Sequence, residues 1–187
     1  MSSEAKFAGI ANQIKEAAEA RAAEKEGVVA DALRSLEALH ADLRVHLEHP
    51  RTLARLKGTA PPLQLAVVNI ITALWYSAGE RAIVVSGVRG DKEQQELYLQ
   101  GRGRPGKIVT HLDGVKKRSR HQVAVDGPWK GLGCAVDLCF LDADGKPTWD
   151  EAMPWALLGS LAKAHGLVWG GDWPKLRDKP HVELFES

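Results

Sequence analysis

The sequence predicts an α+β domain, a small sheet with packed helices, preceded by an N-terminal helical appendage. Three observations carry this expectation. The stretch Gly58-Thr59-Ala60-Pro61-Pro62 divides the chain into an appendage, residues 1–58, and a main domain, residues 59–187. Short β-rich runs follow at 82–86, 135–140, 167–169 and 181–185. The segments between them are unequal in length and only partly helical. Strands and helices therefore do not alternate regularly, which points away from a doubly wound parallel sheet.

The elements follow in chain order. Residues 4–26 are rich in Ala, Glu and Lys, a helix-forming composition that Gly27 interrupts. Val29, Leu33, Leu36, Leu39, Leu43 and Leu47 then recur at three- and four-residue spacing, predicting a second helix that Pro50 ends. Residues 1–48 hold nine acids against six Lys and Arg. This mildly acidic helical pair is too small for a core of its own, so it should pack on the rest or on a partner. Residues 63–78 read as a buried helix closed by Gly79. Residues 82–86 form a strand, and residues 91–100 a polar helix with Leu97 and Tyr98 inward. Residues 101–133, rich in Gly, Pro and bases, read as loop. A second strand spans 135–140, a turn 142–145, and a helix from about 154 to 165, capped by Gly166. Two short strands complete the sheet. Cys134 and Cys139 sit five apart, on opposite faces of a strand, and are expected to be buried free thiols.

Composition narrows the function. The 187 residues are 44% hydrophobic and 26% charged, with a net charge of +1. These values exclude a mainly disordered chain and a disulfide scaffold. A protein living by bulk attraction to nucleic acid is usually more basic, so no nucleic-acid partner is expected. The longest apolar stretch, 63–76, is broken by Gln64, Asn69 and Thr72, so no membrane span is expected. The N-terminus carries acids and no hydrophobic block. It does not read as a secretory signal, and the protein is expected to be made in the cytoplasm.

Three motifs turn out to be decoys or weak signals. Gly101 to Lys107 matches the first part of a phosphate-binding loop, but Ile108 stands where Ser or Thr should hold magnesium, and no strand precedes it. Asp142-x-Asp144-Gly145 looks like the start of a calcium loop, yet Met153 stands where a bidentate Glu is required. Seven bases against one acid in 101–121 lack the interleaved aromatics of a single-strand platform.

The residue types that bind zinc offer more. His121, Asp137 and His181 stand at or beside strands. Two imidazoles and a carboxylate would leave the fourth tetrahedral position open to water, as in catalytic zinc sites. Asp178, three residues before His181 across Lys179-Pro180, is placed to act as a base. Each residue taken alone also has a plain structural reading.

A resemblance then joins these residues. Val85-Ser-Gly-Val-Arg-Gly90, Gln94-Gln-Glu-Leu-Tyr98, Gln100-Gly-Arg102 and Gly106-Lys-Ile-Val-Thr110 resemble the opening block of the zinc peptidases that cut peptidoglycan stems. That family includes D-alanyl-D-alanine carboxypeptidases, vancomycin-resistance D,D-dipeptidases and phage L-alanyl-D-glutamate endolysins. Ser119-x-His121 with Gly133-x-Ala135-x-Asp137 resembles its first metal motif, and Trp169-Gly-Gly-Asp-Trp173 with Asp178-x-Pro180-His181 its second. The resemblance covers roughly residues 60–187, and the endolysin branch fits best.

The resemblance implies a small antiparallel sheet with packed helices, the fold shared with the Hedgehog signalling domain. It implies Zn2+ held by His121, Asp137 and His181, with Asp178 as the catalytic base. Arg89 would steady the oxyanion, and Ser119 would help hold substrate. Glu183 would orient a ligand histidine, and Trp173 would pack beneath the site. The implied reaction is hydrolysis of a stem amide, L-alanyl-D-glutamate first, with D,D-carboxypeptidase or a non-catalytic zinc-bearing module as alternatives. A monomer acting on peptidoglycan stem peptides is expected, released by a holin or by another export route.

The chain departs from the family at one place. His121 and Asp137 are sixteen residues apart where the family has seven, with an insertion at roughly 123–131. His111 is therefore held in reserve as a ligand. The inserted Asp126 and Trp129 would belong either to a lid or specificity loop or to a plain surface excursion. His40, His46, His49 and His165 read as structural or exposed.

Overall fold

A computed structural model of the chain describes residues 49–185, together with Glu16, Gly27, Asp31 and Arg34. The chain divides into two compact units, Met1–Asp42 and Leu43–Ser187. In the first, Gly27 carries helical backbone where the sequence suggests a break. An isolated Gly costs about 1 kcal/mol relative to Ala, which a run of strong helix formers tolerates. The remainder of the two expected N-terminal helices lies outside the described residues.

In the second unit, Pro50 opens a helix instead of only ending one. Helix α1 spans Pro50–Leu56. Pro suits the first helical position, where its fixed φ is helical and its missing N–H would have no partner. The His49 side chain caps the helix, its Nδ1 accepting from Arg51 N–H at 3.2 Å. Thr52 is buried, and its hydroxyl accepts the Val84 N–H at 3.1 Å. Residues 50–56 thus pack against the first strand, on the N-terminal side of the Gly58–Pro62 stretch at which the sequence suggests a boundary.

Helix α2 spans Pro61–Ala78. Its buried residues Leu63, Ala66, Val67, Ile70, Ile71 and Leu74 recur at three- and four-residue spacing, one continuous stripe. Gly79 ends it in the left-handed region, φ 66°, its N–H donating to the Trp75 carbonyl. Strand β1, Ala82–Ser86, leads to helix α3, Asp91–Leu99. A long loop then reaches strand β2, Ala135–Leu141. Strand β3, Pro147–Thr148, precedes helix α4, Trp155–Ala164, and strand β4, Leu167–Trp169. A single 3-10 turn over Gly170–Asp172 and a loop lead to strand β5, His181–Leu184.

The sheet order is β1-β2-β5-β4, with β3 beside β2, and every pairing is antiparallel. Its two faces do different work. Val136, Leu138 and Phe140 of β2 and Val182 of β5 join the α2 and α4 stripes in one core, where Phe140 meets Trp155 edge-on at 4.8 Å. The alternate residues of β2, Asp137, Cys139 and Leu141, point to the other face. There Cys139 and Leu141 pack with Ile83. Cys134 and Cys139 are free and buried, and burial pushes the Cys139 thiol up to about 11. Of the sequence-predicted elements after residue 60, all are present, with ends shifted by a residue or two.

Candidate active site

Strand register builds the site. Asp137 pairs with Ser86 on one side and with His181 on the other. Three neighbouring strands therefore meet at one level on the face away from the main core. A bulge between Val84 and Ser86 shifts β1 at this level. His121 arrives from the long loop. The expected insertion closes on itself: Ala124 N–H donates to Leu132 carbonyl, and Gly131 N–H to Ala124 carbonyl, at 2.9 and 2.8 Å. Sixteen residues of chain thus separate His121 from Asp137 without separating them in space.

The three side chains converge. His121 Nε2 lies 3.2 Å from Asp137 Oδ1 and 3.2 Å from His181 Nδ1, and the last two atoms are 3.1 Å apart. His121 and His181 are buried, and Asp137 nearly so. His111, the reserve candidate, is exposed and sits 3.3 Å from an Arg102 nitrogen, outside this cluster.

Each ring's outer nitrogen has a partner that fixes its tautomer. His121 Nδ1 lies 2.8 Å from the Gly87 carbonyl, which can only accept, so that nitrogen carries the proton. His181 Nε2 lies 2.9 Å from Glu183 Oε2, two residues along the same strand face. The inner nitrogens are left as acceptors, and so is Asp137 Oδ1. Three lone pairs then face one point, an arrangement that demands positive charge. Tetrahedral zinc at about 2.0–2.1 Å from its ligands would set them roughly 3.3–3.4 Å apart, close to the triangle observed. The donor set, two imidazoles and one carboxylate, fits zinc.

The ionisation equilibria show the same demand. Burial would raise the Asp137 carboxyl, but the two histidines hold it far below the usual carboxylate range. Burial would lower the His181 imidazole, but its hydrogen bonds to the Asp137 and Glu183 carboxylates lift it to about 9.

Asp178 behaves oppositely. Burial and then the charge of Asp137 raise its carboxyl above the ordinary value, opposed by His181, His121 and Arg89. Its side chain accepts no hydrogen bond among the described residues. A carboxyl so placed holds its proton to higher pH than an exposed aspartate does. Its backbone is held firmly: Asp178 N–H donates to the Gly170 carbonyl, and His181 N–H to the Asp178 carbonyl. A Cβ on Gly170 would stand 2.5 Å from that same Asp178 carbonyl oxygen, so only Gly lets the turn close. Trp173 packs on the His181 ring, with centroids 4.9 Å apart.

Arg89 borders the cluster, with Nη2 3.6 Å from Asp137 Oδ2. It donates to Gln94 Oε1 at 2.8 Å and to Ser86 Oγ at 3.1 Å, while its buried Nε makes no hydrogen bond. Ser119 is buried, and its hydroxyl accepts the His121 N–H at 3.3 Å, steadying the ligand's backbone. Asp126 borders a shallow cavity with Ser119, and Trp129 is half-buried in the insertion.

Two supporting glutamines escape sequence reasoning. Gln94 is fully buried and joins Arg89 to the Leu112 carbonyl. Gln122 ties Ser119 N–H to the Gly114 carbonyl and Asp91. Neither carries a spacing signal, since buried amides are recognised only by their partners. Gly87 is a third: its carbonyl holds His121, and a Cβ there would stand 1.7 Å from the Arg55 carbonyl oxygen of α1.

The chain is similar in sequence to known peptidoglycan peptidases. Residues 114–184 match a family model described as D-alanyl-D-alanine carboxypeptidase. Over 134 residues, 67% of this chain and 74% of the relative, the sequence is 32% identical to the peptidoglycan L-alanyl-D-glutamate endopeptidase CwlK of Bacillus subtilis (strain 168). Among solved structures, the L-Ala D-Glu endopeptidase ChiX of Serratia marcescens is 26% identical, with 72% of this chain and 86% of that chain covered and a TM-score of 0.49. The LD-carboxypeptidase LdcB is 21% identical over 68% of this chain and 65% of that one, with a TM-score of 0.46.

Proposed function

The chain belongs to the D-alanyl-D-alanine carboxypeptidase family of peptidases, and from that premise we propose that it is a zinc-dependent L-alanyl-D-glutamate endopeptidase of the peptidoglycan stem. The observation that carries the metal is the convergence of three lone pairs from His121, Asp137 and His181. The bond is suggested by the relative at 32% identity, whose name states that cleavage.

His121, Asp137 and His181 hold the ion. When bound, zinc supplies Lewis acidity, which polarises the oxygens of a carbonyl and of water. The chain's own groups do the rest. Asp178 takes a proton from the attacking water and delivers it to the leaving amine nitrogen. Arg89, braced by Gln94 and Ser86, directs its cation toward the carbonyl oxygen as that oxygen gains charge. Glu183 fixes the His181 tautomer, and Ser119 fixes the His121 backbone. The protein meets its substrate in the cell wall after release by a holin or a dedicated export machine.

A second reading, removal of terminal D-alanine, is favoured by the description of the family model that spans both metal motifs. Digestion of Gram-negative sacculi by the purified protein, followed by mass spectrometry with and without a chelator, separates the two. New N-terminal D-glutamate that disappears with chelation is expected. Loss of terminal D-alanine instead would move the specificity to carboxypeptidase. No cleavage by zinc-loaded protein would leave a zinc-bearing binding module.

A further inference from the structure

Asp178 belongs to two environments. Its carbonyl accepts the His181 N–H at 3.1 Å, which ties it to the cluster. It also borders a cavity of about 360 Å³ walled by Trp149, Glu151, Trp155, Arg177 and Lys179. That volume lies within the ~300–1,000 Å³ of small-ligand pockets. The charges on this wall are not equally available. Lys179 is ion-paired with Glu151. Arg177 is exposed and has no hydrogen bond or ion pair among the described residues. Trp155 is 4% exposed, its indole N–H donated to the Asp150 carbonyl at 2.8 Å, and forms a buried part of the wall. Trp149 is 53% exposed. The cavity thus combines an exposed indole, the Lys179–Glu151 pair, Asp178 and, in Arg177, a cation without an ion pair among the described residues. That composition suits a residue with an aliphatic stem and a single carboxylate.

Proton bookkeeping says which substrate residue reaches it. The group that protonates the leaving nitrogen must stand on the leaving side of the scissile bond. A cavity bordered by that group therefore faces the residue that leaves. A leaving D-glutamyl residue carries a free carboxylate whichever of its two carboxyls continues the stem. We propose that Arg177 is a specificity residue that binds this leaving-side carboxylate, with the exposed Trp149 against the aliphatic carbons. The proposal rests on the peptidase reading and on Asp178 as proton donor. A guanidinium meets a carboxylate through two parallel hydrogen bonds. At an exposed site the preference expected is about tenfold, equivalent to ~1.4 kcal/mol.

The test uses the full-length zinc-loaded protein and two peptides, L-Ala–D-Glu–L-Lys with the D-Glu carboxylate free or amidated. The wild type should prefer the free carboxylate about tenfold in kcat/KM, through KM with kcat little changed. Arg177→Ala should cleave both peptides alike, at the wild type's rate on the amidated one. Arg177→Lys should recover part of the preference. A wild type without preference, or Arg177→Ala that keeps it, overturns the proposal. If the wild type cleaves neither peptide, the L-alanyl-D-glutamate endopeptidase reading fails, and calorimetry with D-Glu–L-Lys, free and amidated, decides the carboxylate site separately. Binding about tenfold tighter for the free form, lost in Arg177→Ala, supports it; equal binding overturns it.

Discussion

Glu183 never reaches the cluster's centre, yet it decides which His181 nitrogen presents a lone pair. Glu183→Ala should lower zinc affinity about 10–100-fold, the usual cost of losing such a partner, read by competition with a chromogenic chelator. Unchanged affinity would mean that the ring is fixed by packing against Trp173 alone. Asp178 leads to a different expectation. A carboxyl whose pKa is raised by folding destabilises the fold once it ionises. That penalty is absent below the ordinary value of 3.8, grows as pH rises through the folded pKa, and is constant above it. In metal-free protein, Asp178→Asn should therefore raise Tm at pH 7, and the gain should shrink as pH falls toward 3.8. The same variant should bind zinc and lose turnover. Turnover close to wild type would remove Asp178 from the proposed chemistry. These residues differ in how far the sequence exposes them. His121, Asp137, His181 and Asp178 are legible because metal and acid–base chemistry admit few residue types. Gln94 and Gln122 are not, because an amide's role depends on partners distant in sequence.

At the scale of elements, the sequence-derived outline holds where periodicity is strong. The stripe from Leu63 to Leu74 predicts α2, and the run from Ala135 predicts β2. It fails where one residue type has two uses. Pro50 ends a helix in one context and begins α1 in this one. Gly27 lies within helical backbone for a similar reason. Pairing register is also beyond the sequence, and register is what sets Asp137 against His181. The insertion, in contrast, is closed mainly by backbone hydrogen bonds among residues 124–132, with one outside donor, Arg118, to the Val123 carbonyl. Replacing residues 125–129 with a two-residue turn should leave zinc affinity within about threefold of wild type, given the small entropic cost of loop length. A larger loss, measured by the same competition, would show that the insertion holds His121 in place.

For the whole molecule, the position of α1 fixes where the catalytic unit can be trimmed. Its Thr52 hydroxyl takes the Val84 N–H, and its Arg55 backbone lies against Gly87, whose carbonyl holds His121. A chain of residues 43–187 should unfold cooperatively and bind one zinc. A chain of residues 59–187 should lose zinc affinity and Tm together, although it keeps every ligand. Equal behaviour of the two, by calorimetry and metal titration, would show that α1 contributes nothing to the site. No helix among the described residues is long and apolar enough to cross a membrane.

The pairing of Asp137 with His181 has a consequence for folding. Side chains alternate along a strand, so a slip of β5 by one residue would turn His181 toward the opposite face. His121, Asp137 and His181 can share an ion only when two distant strands and a loop have found their native alignment. Metal capture, on the proposed reading, would then act as a proofreading step, rewarding the correct alignment and no neighbouring one. Refolding in the presence of zinc should favour a single alignment, whereas refolding with a chelator should leave a fraction of chains with β5 shifted.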